Sequence, residues 1–260
     1  MPNPSTHIYF IKKAVLENKL LKDTVNYKYL ISGAIYPDFY YFVPFKTKKF
    51  IGKNLSDFWH GHNDNNKIGL KFGKNLLKYA QTKEEFSFAL GFLSHFILDL
   101  RIHGYFRETH NLSNINHLIL EHFLDMEHKI YVPMIKCPKR LLKEVFRKEQ
   151  PLLSKKYILQ LNLNHIKRFS FKITYNILKF LILKKYKNQK KAKKIMIWDL
   201  FLYLGYKKPL TQRNFKNVKK ILYPDFSLKS KHMKNMKQEI KNAENDFRKE
   251  IESKDFKIIK

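Results

Sequence analysis

Residues 81–104, QTKEEFSFALGFLSHFILDLRIHG, decide the fold class. Thr82 stands three residues before Glu85, the spacing of a capping box, and Gly104 is the residue type that commonly ends a helix, so the sequence predicts one helix between them. Residues four apart on that helix lie one turn on and about 40° round, which makes His95, Asp99 and His103 a slanting stripe on one side. Leu93, Phe96, Ile97 and Leu100 are expected to turn into a core. Apolar residues recur at three- and four-residue spacing along the rest of the chain as well, and eight Gly and nine Pro are few for a chain of hairpins. The expectation is an all-α, compact multi-helix bundle.

Residues 111–131, NLSNINHLILEHFLDMEHKIY, repeat the pattern: His117 and Glu121 are four apart and Asp125 follows after another four. Imidazole and carboxylate at this spacing can reach one cation, each donor atom about 2 Å from it. A single such pair is ordinarily a hydrogen-bonded contact or chance. Two pairs with a third His in step, among apolar neighbours, favour metal. Nine of the eleven His precede residue 130, so histidine is concentrated in this half.

Toward the N-terminus a helix is expected from about Ser5 to Leu21, capped by Ser5 or Thr6, with His7 in its first turn. A second covers Asn26–Ala34 and runs into IYPDFYYF, where Pro37 stops it and leaves Asp38 among aromatics. A carboxylate there needs a partner, supplied by a cation or by capping of the next turn. Residues 43–66 read as a long irregular loop whose DFWHGHNDNN segment offers His60, His62 and Asp64. Lys67–Ala80 reads as a helix leading back to the central one.

A chain of 260 residues that is 44% hydrophobic can fill a core, so disorder throughout is excluded. The formal charge of +30 invites nucleic acid or an anionic membrane as partner. Only seven of the 52 basic residues are Arg, however, and Lys mixed with abundant Ile and Asn is what an AT-biased coding sequence gives without selection for any partner. Cys137 is alone, which excludes an intramolecular disulfide. No secretory signal and no apolar run of membrane-spanning length is evident, so a soluble, cytoplasmic protein is expected.

The order His7, YPD with Asp38, WHG with His60, HFILD with His95 and Asp99, His103, then HLILE with His117 and Glu121 resembles the zinc-dependent phospholipase C family, which is related to fungal zinc nucleases. The resemblance covers roughly residues 1–130. It implies a bundle built around a polynuclear zinc site that hydrolyses phosphate esters. By position it implies one metal on Asp38, His60, His95 and Asp99, a second on Asp99 and His7, and a third on His103, His117 and Glu121, with Asp99 bridging. His62 remains the alternative to His60, and Asp125 would orient a ligating His. Secreted members complete the second metal with an N-terminal Trp, which this chain lacks, and the step from Asp99 to His103 is shorter here, so two or three zinc ions are expected.

From this resemblance follow the remaining expectations. Asp38 and Asp99 are the catalytic candidates, as general base toward water; Tyr36, Tyr40 and Trp59 would wall the pocket, and Arg101 would meet the phosphate. The substrate is a phospholipid or related phosphoester, with transient contact to an anionic membrane surface. The rivals are a nuclease on single-stranded nucleic acid and a non-catalytic helical module with structural metals. Residues 131–260 carry no chemical motif and read as Lys-rich helices completing a single domain over 1–260.

Overall fold

The computed structural model of the chain describes residues 4–38, 55–60, 67–109, 120, 121, 124, 127, 128, 130, 133–151 and 227–252. Every regular element among them is helical, as the apolar spacing predicts. In order these are α1 (Pro4–Leu16), α2 (Lys19–Lys22), α3 (Tyr27–Ile35), α4 (Leu55–His60), α5 (Lys67–Tyr79), α6 (Lys83–Glu108), α7 (Lys139–Glu149) and α8 (Ser227–Glu252).

α6 is the axis on which α1, α3, α5 and α8 pack. Thr82 Oγ1 accepts the Glu85 N–H at 3.2 Å, while the Glu85 carboxylate reaches one residue further back than a capping box requires and accepts the Gln81 N–H at 2.9 Å. The helix does not stop at Gly104. Phe106 is buried and the Tyr105 hydroxyl bonds His232 Nδ1 on α8 at 2.7 Å, so side-chain contacts carry the helix through the glycine to Glu108. Every residue from Phe86 to Asp99 is buried, which explains why the helix lacks a polar face there; Leu100, expected in the core, is only half-buried.

α3 crosses α6 closely because both helices offer glycine at the contact. A Cβ at Gly33 would run into the Phe88 carbonyl, and one at Gly91 into the Leu30 carbonyl, so neither position accepts a side chain at this separation. Asn26 caps α3 by accepting the Lys28 N–H at 3.1 Å, and Pro37, with no N–H to return to the helix, follows its end.

Two expectations of element boundaries fail for identifiable reasons. The helix predicted to Leu21 is divided because the Asn18 side chain accepts the Leu21 N–H at 3.1 Å and starts a new turn. Ser5 does not cap α1; its hydroxyl donates across the fold to the Ile130 carbonyl at 2.8 Å. The stretch read as irregular loop over 43–66 contains α4, whose Trp59 is fully buried against Tyr36, Phe72, Phe92 and Phe146. Burying so large a ring anchors that turn to the core, at roughly 2–3 kcal/mol for the side chain.

Candidate metal centre

Four side chains from three separate segments converge beside the α3–α6 crossing: Asp38 beyond α3, His60 at the end of α4, and His95 and Asp99 on α6. His60 Nε2 lies 3.1 Å from His95 Nε2, 3.3 Å from Asp38 Oδ1 and 3.3 Å from Asp99 Oδ2. His95 Nε2 lies 3.5 Å from the same two carboxylate oxygens. A cation held tetrahedrally by donors about 2.0 Å away would separate those donors by about 3.3 Å. Five of the six edges of this group fall between 3.1 and 3.5 Å.

The protonation of the group says the same. His95 Nδ1 must be the protonated nitrogen, because its partner is the Ala34 carbonyl, 2.8 Å away and able only to accept. Burial, reinforced by neighbouring His7, lowers the His95 pKa to about 3, so the ring is neutral and its Nε2 presents a lone pair to two carboxylates. Acceptors facing acceptors in a buried space repel unless a cation sits among them. His60 takes the opposite course: burial lowers its pKa, but Asp38 and Asp99 outweigh that and raise it to about 9. Burial pushes the Asp99 carboxyl up, yet His95, His60 and His7 together hold it well below the usual carboxylate range.

His7 extends the site on the other side. It is fully buried, its ring stacks on His95 at 3.8 Å, and its Nε2 lies 3.4 Å from Asp99 Oδ1 and 3.9 Å from Asp38 Oδ2. Each carboxylate therefore gives one oxygen to the His60–His95 pair and the other to His7, an arrangement suited to bridging two ions. Both ring nitrogens of His7, Asp38 Oδ1 and both Asp99 oxygens are buried without a hydrogen bond among the described residues. Two overlapping groups here, His7–His95–Asp99 and Asp38–His60–His95, have the spacing to hold a metal ion.

The donor set is thus the one the sequence singles out around Asp38 and Asp99, and its chemistry fits a borderline divalent ion such as zinc. The chain belongs to the zinc-dependent phospholipase C family. The family model for zinc-dependent phospholipase C matches residues 6–196, well beyond the stretch over which the motifs are legible. Searches of curated proteins and of solved structures found no match.

Other predicted positions fare differently in this member of the family. His103 Nε2 is 3.9 Å from Asp99 Oδ2 and its side chain is 21% exposed, at the open edge of the site. Glu121 is buried. His117, His62, Asp64, Tyr40 and Asp125 lie outside the described residues. Tyr36 and Trp59 do not wall a pocket: both are fully buried in the aromatic core, because their rings bury more surface there than at a rim. Arg101 is not available to a phosphate. Its guanidinium binds Asp246 on α8 in a fork at 2.6 and 3.0 Å, a stronger claim than an open site makes.

Sequence reasoning did not find the residues that aim His95. The Ala34 carbonyl does this, and only because Gly33 and Gly91 let the two backbones approach. The signal was present as small residues on both helices, Ser32, Gly33 and Ala34 on α3 and Ala89 and Gly91 on α6. Phe96 completes the setting, its ring 5.1 Å from His60 and 4.9 Å from His95.

Proposed function

We propose that the chain is a zinc-dependent phosphodiesterase of the phospholipase C kind, acting on a phospholipid or related phosphoester. The observation that carries this reading is the near-tetrahedral set of potential ligand atoms on Asp38, His60, His95 and Asp99, with His7 on the far side of the two carboxylates. In this reading two ions are held, one by Asp38, His60, His95 and Asp99 and one by His7 with the outer carboxylate oxygens. His103, His117 and Glu121 are the set for a third.

Bound zinc would neutralise phosphate oxygens and make a water acidic enough to react near neutral pH. The chain supplies the rest. His95 is fixed in one tautomer by Ala34, which keeps its Nε2 aimed at the centre. Asp38 or Asp99 accepts the proton as the water oxygen attacks phosphorus and the ester oxygen departs. The aromatic core behind the site, from Trp59 to Phe96, keeps bulk solvent from that side, and the exposed edge at His60 and His103 is where substrate enters.

Zinc analysis of the purified full chain, together with hydrolysis of bis-p-nitrophenyl phosphate and of mixed phosphatidylcholine micelles, tests the proposal. Two or three zinc ions per chain are expected, with cleavage of both substrates that a chelator abolishes and zinc restores. Preferential cleavage of single-stranded DNA would instead favour the nuclease reading, for which the +30 formal charge is the supporting observation. Stoichiometric zinc with no cleavage of any of the three would favour a non-catalytic module. The same reading takes residues 1–260 as one domain, since α8 packs on α1 and α6, the helices that carry His7, His95 and Asp99.

A further inference from the structure

Among the described helices the positive charge is not spread evenly. α5 and α7, which pack together, carry nine basic and two acidic side chains over 24 residues, whereas α8 carries seven basic and five acidic over 26. α5 has no acidic residue at all, and Lys67, Lys71, Lys74 and Lys78 fall on one exposed stripe opposite its buried Phe72 and Leu76. On α7 the outward residues Arg140, Lys143, Glu144, Arg147 and Lys148 line a shallow concavity.

The two faces meet at Tyr79, where the ammonium groups of Lys78 and Lys148 lie 5.2 and 4.5 Å from the ring centre. Some of these cations serve the fold: Lys74 bonds Glu250 at 3.0 Å, Arg140 bonds Glu85 and Glu144, and Lys148 bonds Glu144 at 3.1 Å. Lys71, Lys78, Lys143 and Arg147 make no ion pair among the described residues. The buried side of α5 lays Gly69 on the ring of Phe96, which borders His60 and His95, so the charged face is the outer surface of the wall that backs the metal centre.

We propose that the α5–α7 face docks the protein on the anionic headgroup surface of a lipid bilayer. Two helices side by side, each roughly 10 Å across and 16–20 Å long, make a broad face suited to a sheet of headgroups rather than a groove that would follow a strand. Its free charges are mainly Lys, which act as point charges on diffuse negative potential, whereas base and phosphate readout in nucleic acid leans on Arg forks. The inference rests on the phospholipase reading for its choice of a bilayer over other polyanions. Docking would keep the protein at the surface that carries its substrate without any membrane-spanning helix, and among the described residues no helix is long and apolar enough to span.

Co-sedimentation of the full chain with vesicles tests this. Binding to phosphatidylcholine vesicles containing phosphatidylserine, lost at high salt and absent with phosphatidylcholine alone, is expected. Each surface cation is worth about a fivefold change in partitioning, so Lys71→Glu, Lys78→Glu and Arg147→Glu together are expected to lower it at least a hundredfold. The same reversal on α8, at exposed Lys234, Lys241 and Lys249, is expected to cost far less. Equal losses for both triples, no loss for the α5–α7 triple, or equal binding to neutral vesicles would each overturn the proposal. So would tighter binding to a single-stranded oligonucleotide than to the anionic vesicles, lost in the same triple variant. A Gln triple at the three α5–α7 positions guards against misfolding and is expected to show an intermediate loss. Hydrolysis of bis-p-nitrophenyl phosphate is expected to be unchanged in all variants; its absence in the parent chain would defeat the phospholipase reading while leaving the sedimentation result to be judged separately.

Discussion

Glu85 and Glu244 are shut away from solvent almost as completely as Asp38 and Asp99, at 5, 5, 1 and 0% exposure, yet the two pairs live in opposite surroundings. Glu85 is forked by Arg140, and Glu244 takes Lys13 Nζ on both oxygens at 2.9 Å. Among the described residues Asp38 and Asp99 pair only with imidazoles, one of them the neutral His95 ring that faces them through its lone pair. The first pair is electrostatically complete and ties helices together. In the metal-free protein the second is balanced only by a proton on His60, which a divalent cation can displace. Burial of a carboxylate therefore says little about function; the charge of what surrounds it says a good deal.

This contrast breaks most sharply at Asp99. Asp99→Asn is expected to remove most of the bound zinc and lower phosphodiester hydrolysis on the order of a thousandfold, measured by elemental analysis and initial rates. Full zinc content in Asp99→Asn would remove the case for bridging.

His60 gives the next largest effect, through pH. Its pKa in the metal-free protein is raised from 6.5 to about 9, so the stability it contributes is fully present below 6.5 and is lost as pH rises through about 9. Zinc must displace that proton, so apparent affinity should rise about tenfold per pH unit from 7 to 9 and then level off. Competition titrations with a chromophoric chelator measure the slope, and His60→Gln should flatten it.

Gly91→Ala touches no donor atom and should still weaken zinc binding about 10–100-fold, because a methyl group there separates α3 from α6 and withdraws the Ala34 carbonyl from His95. A loss of about 1–3 kcal/mol in urea unfolding should accompany it. If zinc affinity is unmoved, His95 is aimed by something other than this crossing. At the far end of the comparison Glu244→Gln should leave zinc content unchanged while costing about 2 kcal/mol of stability, since it strands Lys13 without a full counter-charge.

Much of this was readable before any coordinates. The three- and four-residue apolar spacing gives the helices, Thr82 and Asn26 mark true starts, and the four-residue steps of His95, Asp99 and His103 put them on one side of α6. What misled was local chemistry taken by itself. Gly104 looks like a stop, but a helix ends where its side chains run out of contacts, and Tyr105 and Phe106 still have them. Trp59 and Tyr36 look like pocket walls beside polar neighbours, but large rings go where they bury most surface. Arg101 looks free beside the site because its partner, Asp246, is 145 residues away.

The sequence by itself determined which atoms are able to hold a metal, because imidazole and carboxylate chemistry travels with the residue, and it determined the helical period that sorts them onto faces. Only the tertiary structure decided which of the buried acids remain without a cation and which imidazole lone pairs point at them. That depends on the separation of α3 and α6 to a fraction of an ångström, fixed by two glycines whose neighbours lie some 58 residues apart in the chain, and no local pattern records a distance of that kind.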